Sequence, residues 1–251
     1  MQIAADIARA LDPVAFAIDC GVTPDPWQAE LLTKRPRRGL LLCSRQSGKT
    51  TVTSLLALHR ALFEAGALVI IVSPSSRQSG EMLRSIKQLL GALGDGAVET
   101  EGNAVLKLEL ANKSRIVALP GTGDTVRGMA GASMVIVDEA SRVSDDLIQA
   151  VTPMLATRTD GSLILLTTPA GKRGFFYEAW HDSAQKWHRV RVAASDCPRI
   201  SKEFLAEEMQ RLGPARYREE YELEFIDADE SAFPTAVIER AFTTEVEPLW
   251  A

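Results

Sequence analysis

The chain has 251 residues, 46% hydrophobic and 24% charged, which allows one large core or a medium core with an appendage and excludes a fibre, a disordered tail or a disulfide scaffold. Its three cysteines, Cys20, Cys43 and Cys197, lack any Cys-x-x-Cys spacing, so no zinc ribbon is indicated and a reducing, cytoplasmic compartment is expected. The net charge of −5 excludes a uniformly basic nucleic-acid coat but not a local basic track, and Asp6, Asp12 and Asp19 interrupt the N-terminal apolar stretches too often for a signal peptide or membrane span.

Along the chain, Pro24-Asp25-Pro26-Trp27-Gln28 comes first. A glutamine can bond both the donor and acceptor edges of adenine, and an aromatic can pack on the base. The same pentapeptide also reads as a loop anchored by a core tryptophan. Four nearly continuous apolar runs at 39–43, 67–73, 133–137 and 162–167 predict strands covered on both faces. Between them, residues 49–65, 78–93 and 145–156 carry apolar residues at helical spacing. Residues 104–110 and 114–119 flank an Ala-Asn-Lys turn and predict an antiparallel hairpin inserted at a sheet edge. A further strand at 187–192 and a helix at 202–212 follow. The alternation predicts an α/β protein with a mainly parallel central sheet flanked by helices: a core over 1–195 and a small helical lid over 196–235.

Residues 43–50, Cys-Ser-Arg-Gln-Ser-Gly-Lys-Thr, follow a strand and open a helix, the setting of a phosphate-binding loop. Backbone N–H groups across Ser44, Gln46 and Ser47, with the helix N-terminus, would cradle a triphosphate. Gly48 permits close backbone approach, Lys49 would bridge the β- and γ-phosphates, and Thr50 would place its hydroxyl on Mg²⁺. Cys43 replaces the usual first glycine and reads as a small buried residue without chemistry. Four apolar residues then lead into Asp138-Glu139, which places two carboxylates at a strand end, facing opposite ways. Asp138 suits Mg²⁺ and Glu139 suits the general base, although such a pair can also cap a helix. Thr167 and Thr168, before Pro169, either sense the γ-phosphate or simply end their strand.

Together, Trp27-Gln28, Ser44-Arg45-Gln46-Ser47-Gly48-Lys49-Thr50, Val126-Arg127-Gly128, Val137-Asp138-Glu139-Ala140 and Thr167-Thr168-Pro169 occur in one order over residues 20–235. The set resembles the ATPase domain of the large terminase subunit, the DNA-packaging motor of tailed bacteriophages. That resemblance implies a P-loop NTPase of the ASCE, RecA-like type that uses ATP and Mg²⁺, with Thr167 and Thr168 as a coupling motif. It implies a homo-oligomeric ring, pentameric when assembled on the procapsid portal, acting with the portal protein and the small terminase subunit. Arg45 then matches the family's arginine acting in cis, and Arg127 the arginine finger offered to a neighbouring subunit's nucleotide. Charge developing on the γ-phosphate oxygens gives both a physical purpose. Large terminase subunits usually carry a C-terminal nuclease domain, which is not expected within these residues; 236–251 resembles the link towards it.

A packaging motor grips double-stranded DNA through phosphates without reading bases, so Arg77, Arg84 and Lys87, recurring along one predicted helix, are candidate contacts, as is the basic run 34–38. Two other functions compete: a helicase-like nucleic-acid translocase, and a module whose partner interface is switched by nucleotide occupancy with incidental turnover. His59, His181 and His188 show no ligand spacing and carry no predicted chemistry.

Overall fold

The computed structural model of the chain describes residues 2–94, 100–104, 106–120 and 129–226. Arg127 with its neighbours Val126 and Gly128, and the segment 236–251, lie outside the described residues. Eight strands form one sheet: β1 (Arg38–Cys43), β2 (Leu68–Ser73), β3 (Thr100–Ala104), β4 (Lys107–Leu110), β5 (Arg115–Pro120), β6 (Met134–Asp138), β7 (Ser162–Thr167) and β8 (His188–Val192). Their spatial order is β3-β4-β5-β2-β6-β7-β1-β8, with parallel pairing everywhere except β3–β4 and β4–β5. The expected α/β fold with a mainly parallel sheet is therefore present.

Alternation of side chains explains the unbroken apolar runs. In β2, Val69 and Ile71 enter one core while Leu68, Ile70 and Val72 enter the other, because successive strand residues point to opposite faces. The first core is covered by α2 (Pro13–Asp19), α3 (Pro26–Lys34), α4 (Lys49–Phe63) and α5 (Ser76–Ala92), with Phe16, Leu31, Leu55 and Met82 fully buried or nearly so. The second is covered by α6 (Asp145–Val151) and α7 (Gly174–His181), through Leu147, Ile148, Val151 and Phe176. An N-terminal helix α1 (Gln2–Leu11) precedes them. No helix among the described residues is long and apolar enough to cross a membrane.

Three expectations change. The hairpin forms, with Leu108 opposite Ile116, but β5 also runs parallel to β2, so only β3 and β4 make an antiparallel edge. The helix expected over 145–156 is α-helical only to Val151 and tightens to a 3₁₀ turn at Thr152–Leu155, where Pro153 lacks an N–H to continue it. Residues 24–28 are only partly a loop: Asp25 is the N-cap of α3, Pro26 opens the helix that holds Trp27 and Gln28, and Gln28 Oε1 accepts the Asp25 N–H at 2.8 Å.

Beyond β8, α8 (Lys202–Leu212) and α9 (Pro214–Tyr221) pack as a pair around their own small cluster of Ala194, Tyr217 and Tyr221, joined by Phe204, Leu205 and Leu212. Tyr221 Oη donates to Glu208 Oε2 at 2.7 Å across the pair. The chain then rejoins the main body at Leu223, which is buried in the second core.

Candidate active site

The C-terminal ends of parallel strands collect the motifs at one rim of the sheet, where open α/β sheets hold ligands. Strand order decides who meets whom. β7 lies between β1, which feeds the loop at 43–50, and β6, which ends in Asp138, so Thr167 and Thr168 fall between the loop and the carboxylates.

The loop is built by its own bonds. Ser47 Oγ donates to Ser44 O at 2.9 Å, Ser44 N donates to Val192 O at 2.9 Å, and both serines are fully buried. Gln46 takes φ 59°, and Gly48, the N-cap of α4, takes φ 88°. A Cβ at position 48 would also stand 2.5 Å from Gln28 Nε2, so the end of that side chain would have to move away from the loop. Burial pushes the Cys43 thiol up to about 12, which leaves it a neutral packing group as expected.

Lys49 Nζ lies 3.4 Å from Glu139 Oε1, both side chains mostly enclosed. Glu139 takes φ 53°, a left-handed conformation unfavourable for a side-chain-bearing residue by roughly 1–2 kcal/mol, and so turns its carboxylate out of β6 towards the loop. Asp138 is 8% exposed. Burial, and then the charge of Glu139, raise its carboxyl to about 6, opposed by Lys49 and by the Glu139 N–H it accepts at 2.9 Å. The Asp138 carboxylate at the end of β6 and the Thr50 hydroxyl in the first turn of α4 are oxygen donors of the kind that Mg²⁺ takes.

Two clefts flank the loop and share Gln46 and Lys49. One, of about 560 Å³, is lined by Gly21, Val22, Thr23, Gln28, Thr50 and Arg199 among others. The other, of about 620 Å³, opens towards α8 and α9 and is lined by Arg45, Glu139, Arg142, Glu208 and Tyr221. Gln28 Nε2 donates to Gly48 O at 3.2 Å, so Gln28 touches the loop itself. Trp27 packs against the first core and lines neither cleft, which favours the anchoring alternative over contact with a base. Arg45 Nε and Nη2 donate to Glu220 Oε2 and Oε1 of α9 at 2.8 and 3.1 Å, on the wall of the second cleft.

Thr167 Oγ1 accepts from Ser141 N at 3.3 Å and donates to Thr168 O at 2.7 Å, while Thr168 Oγ1 accepts from Arg142 Nη1 at 3.0 Å. Arg77 and Arg84 lie exposed on α5, whose first turn reaches the second cleft through Gln78, and Arg84 is paired with Glu81; Lys87 on the same helix is half-buried, and that burial lowers its ammonium pKa. The basic run 34–38 sits at the opposite rim of the sheet, where β1 begins.

Sequence reasoning missed Arg142, Arg199 and Glu220. Arg142 carried a signal, since it follows Glu139 by three residues and one 3₁₀ turn brings them together. Arg199 bridges Asp25 Oδ1, at 2.7 Å, to Ser47 O, at 3.2 Å, across 174 and 152 residues of chain, a pairing no local pattern announces.

Residues 40–240 match the family model described as terminase large subunit, T4likevirus-type, N-terminal. The chain is 26% identical over 183 residues to a probable terminase large subunit of Enterobacteria phage P7, covering 64% of this chain and 35% of that protein. It is 23% identical over 251 residues to the terminase large subunit of Thermus phage G20c, covering 85% of this chain and 51% of that one. It thus spans about half or less of the length of these curated relatives. Among solved structures, the large terminase ATPase domain of Thermus phage P74-26 superposes with a TM-score of 0.71 at 22% identity, over 84% of this chain and 97% of that one. The large terminase of bacteriophage HK97 gives 0.70 at 19% identity, over 86% and 55%. The fold and the ordered motifs at its rim agree with the family match, and the chain belongs to the terminase large subunit family, T4likevirus-type, in its N-terminal region.

Proposed function

We propose that the chain is the Mg²⁺-dependent ATPase of a large terminase, a motor that moves double-stranded viral DNA into a procapsid. The observation that carries this reading is the 3.4 Å approach of Lys49 to Glu139 across β7, as expected if a phosphate-binding cation and a general base serve one reacting centre. Backbone N–H groups at 44–48 and the N-terminus of α4 receive the phosphates. Thr50 and Asp138 would hold Mg²⁺, which when bound offsets charge on the β- and γ-phosphates. Glu139 takes a proton from the attacking water, the water oxygen bonds to the γ-phosphorus, and the bond to the β–γ bridging oxygen breaks with its electrons leaving on ADP.

Arg45 gives this site a link to α9. Its bidentate partner Glu220 competes with phosphate for the same guanidinium, so nucleotide arrival loosens α8 and α9, which act as the lid over 196–235. Arg127 serves as the finger for a neighbouring subunit in a pentameric ring, formed with the portal protein and the small terminase subunit in the host cytoplasm. Arg77, Arg84 and Lys87 contribute to a phosphate-tracking DNA surface.

ATP turnover measured with and without duplex DNA over a salt series tests the motor reading. Turnover should rise with duplex, and the rise should vanish as salt screens the phosphates. Stimulation by single strands alone would favour a helicase-like translocase; tight ATP binding without turnover would leave a nucleotide-gated binding module.

A further inference from the structure

We infer that Arg142 is a positioning residue that holds the carboxylate of Glu139 in place and ties it to Thr168, an inference that rests on the ATPase reading above. The backbone builds the arrangement. Residues Ala140–Arg142 form a 3₁₀ turn, closed by Arg142 N donating to Glu139 O at 2.8 Å, and 3₁₀ geometry eclipses side chains three residues apart. Glu139 and Arg142 therefore project to the same side. Arg142 Nη1 donates to Glu139 Oε2 at 2.7 Å, a charge-assisted bond much shorter than the 3.4 Å approach of Lys49 to Oε1.

The same Nη1, with two hydrogens, also donates to Thr168 Oγ1 at 3.0 Å, and Nη2 faces Glu220 Oε1 at 3.8 Å. The turn itself is pinned to the end of β7 by Ser141 N donating to Thr167 Oγ1. The hydrogen bond that Arg142 donates to the Glu139 carboxylate thus comes from a turn tied to the Thr167-Thr168 segment.

Consider what a triphosphate changes. Lys49 is the loop's phosphate ligand, so its interaction with Oε1 is the one a nucleotide replaces. Arg142 lies on the far side of the carboxylate, and its bond to Oε2 remains. The orientation of the base during attack is then set by Arg142, and through it by Thr168. A movement of the segment after β7 on phosphate loss displaces Arg142 and with it the base, which couples the chemistry to the chain beyond Pro169 by two hydrogen bonds. A lysine at 142 keeps the charge and has N–H groups enough for both acceptors, but on a shorter, more flexible stem and without the Nη2 that faces Glu220, so it should restore part of the effect.

The test uses the full chain and compares Arg142→Gln, Arg142→Lys, Thr168→Val and Arg142→Gln/Thr168→Val. Each is measured for kcat, for KM, and for binding of a non-hydrolysable ATP analogue, with thermal melting as a check on folding. Arg142→Gln should lower kcat by about 30-fold while analogue affinity stays within about two-fold, and lysine should recover roughly ten-fold of that loss. Thr168→Val should lower kcat several-fold alone and add almost nothing to Arg142→Gln, because both changes cut one chain of bonds. Full kcat in Arg142→Gln overturns the inference, as does a loss of analogue affinity at unchanged kcat, which would make Arg142 a phosphate ligand. If the glutamine variant does not fold, unchanged kcat in both Arg142→Lys and Thr168→Val overturns it. A wild type that binds ATP without turnover overturns the ATPase reading and this inference with it, whereas an active wild type with unaffected variants overturns this inference alone.

Discussion

The two rims of the parallel sheet are both polar, and they are polar in different ways. At the rim where the strands begin, serine and asparagine side chains bind the main chain, and the charged groups gather on one carboxylate, Glu64. Ser114 Oγ donates to Glu64 O at 2.8 Å and accepts from Ala67 N at 3.0 Å, while Ser133 Oγ donates to Glu64 Oε1 at 2.9 Å and accepts from Leu68 N at 3.4 Å. Arg60 and Arg158 close on the same Glu64 carboxylate, and Asn112 Nδ2 reaches Ala61 O and Leu62 O at the end of α4. At the rim where the strands end, charged tips bind other charged tips from separate segments: Lys49 and Arg142 to Glu139, Arg45 and Arg142 to Glu220. Left-handed backbone occurs at both rims, at Arg35 and Lys113 in turns that lead into β1 and β5, and at Gln46 and Glu139 among the charged groups of the second rim. Bonds of the first kind hold elements together. On the proposed function, bonds of the second kind are those a bound phosphate would replace.

Substitutions at each rim should break in different ways. The largest effect belongs to Lys49→Ala, expected to weaken ATP binding by about 1,000-fold, near 4 kcal/mol, because a charge-assisted phosphate contact is lost. Urea unfolding of the nucleotide-free variant should move by no more than about 0.5 kcal/mol.

Next comes the pH response of the opposite rim. His59, 4% exposed, packs edge-on against Phe16, and burial, with the Arg35 charge, depresses its imidazole from 6.5 to about 4 despite the nearby Arg9 carbonyl. The unfolded chain protonates His59 near pH 6.5 and the folded chain resists until about 4, so its contribution is complete above 6.5 and is lost as pH falls through that window. The loss is on the order of 3 kcal/mol. Asp138, raised to about 6, acts in the opposite sense over part of the range, so the difference between His59→Gln and wild type isolates the histidine. Urea midpoints at a series of pH values should show the shallower acid slope in the variant.

Smaller still is Glu64→Ala. Removing the acceptor shared by Ser133, Arg60 and Arg158 should cost about 2 kcal/mol in stability while leaving kcat per folded molecule within about two-fold, measured by urea unfolding alongside ATP turnover. A Glu64→Ala protein of normal stability but impaired turnover would erase the distinction between the rims.

Much of this was legible along the chain, for reasons particular residues make plain. β1, β2, β6 and β7 were found within a residue of their ends because strands buried on both faces read as unbroken apolar runs. The loop was legible because Gly48, Lys49 and Thr50 must be consecutive to turn a strand into a helix around a phosphate. The start of α3 was hidden by its own chemistry: Asp25-Pro26-Trp27-Gln28 is a capping-box pattern, yet glutamine and tryptophan also suggest a base pocket. Strand β3 was missed because Thr100–Ala104 carries Glu, Gly and Asn, residues of low strand preference that pairing with β4 overrides. The ion pairs of Arg45 with Glu220 and Arg199 with Asp25 join residues more than 170 positions apart, which only tertiary folding reveals.

The central claim is that Glu139 acts as the base of an ATPase whose other parts bind nucleotide without it. Glu139→Gln keeps the shape of the side chain and removes its basicity, so single-turnover hydrolysis of ATP by this variant, beside its equilibrium ATP affinity, is the direct measurement. The account predicts ATP bound within about three-fold of wild type and hydrolysis slowed by about 100-fold or more. Hydrolysis at the wild-type rate would place the base elsewhere and contradict it.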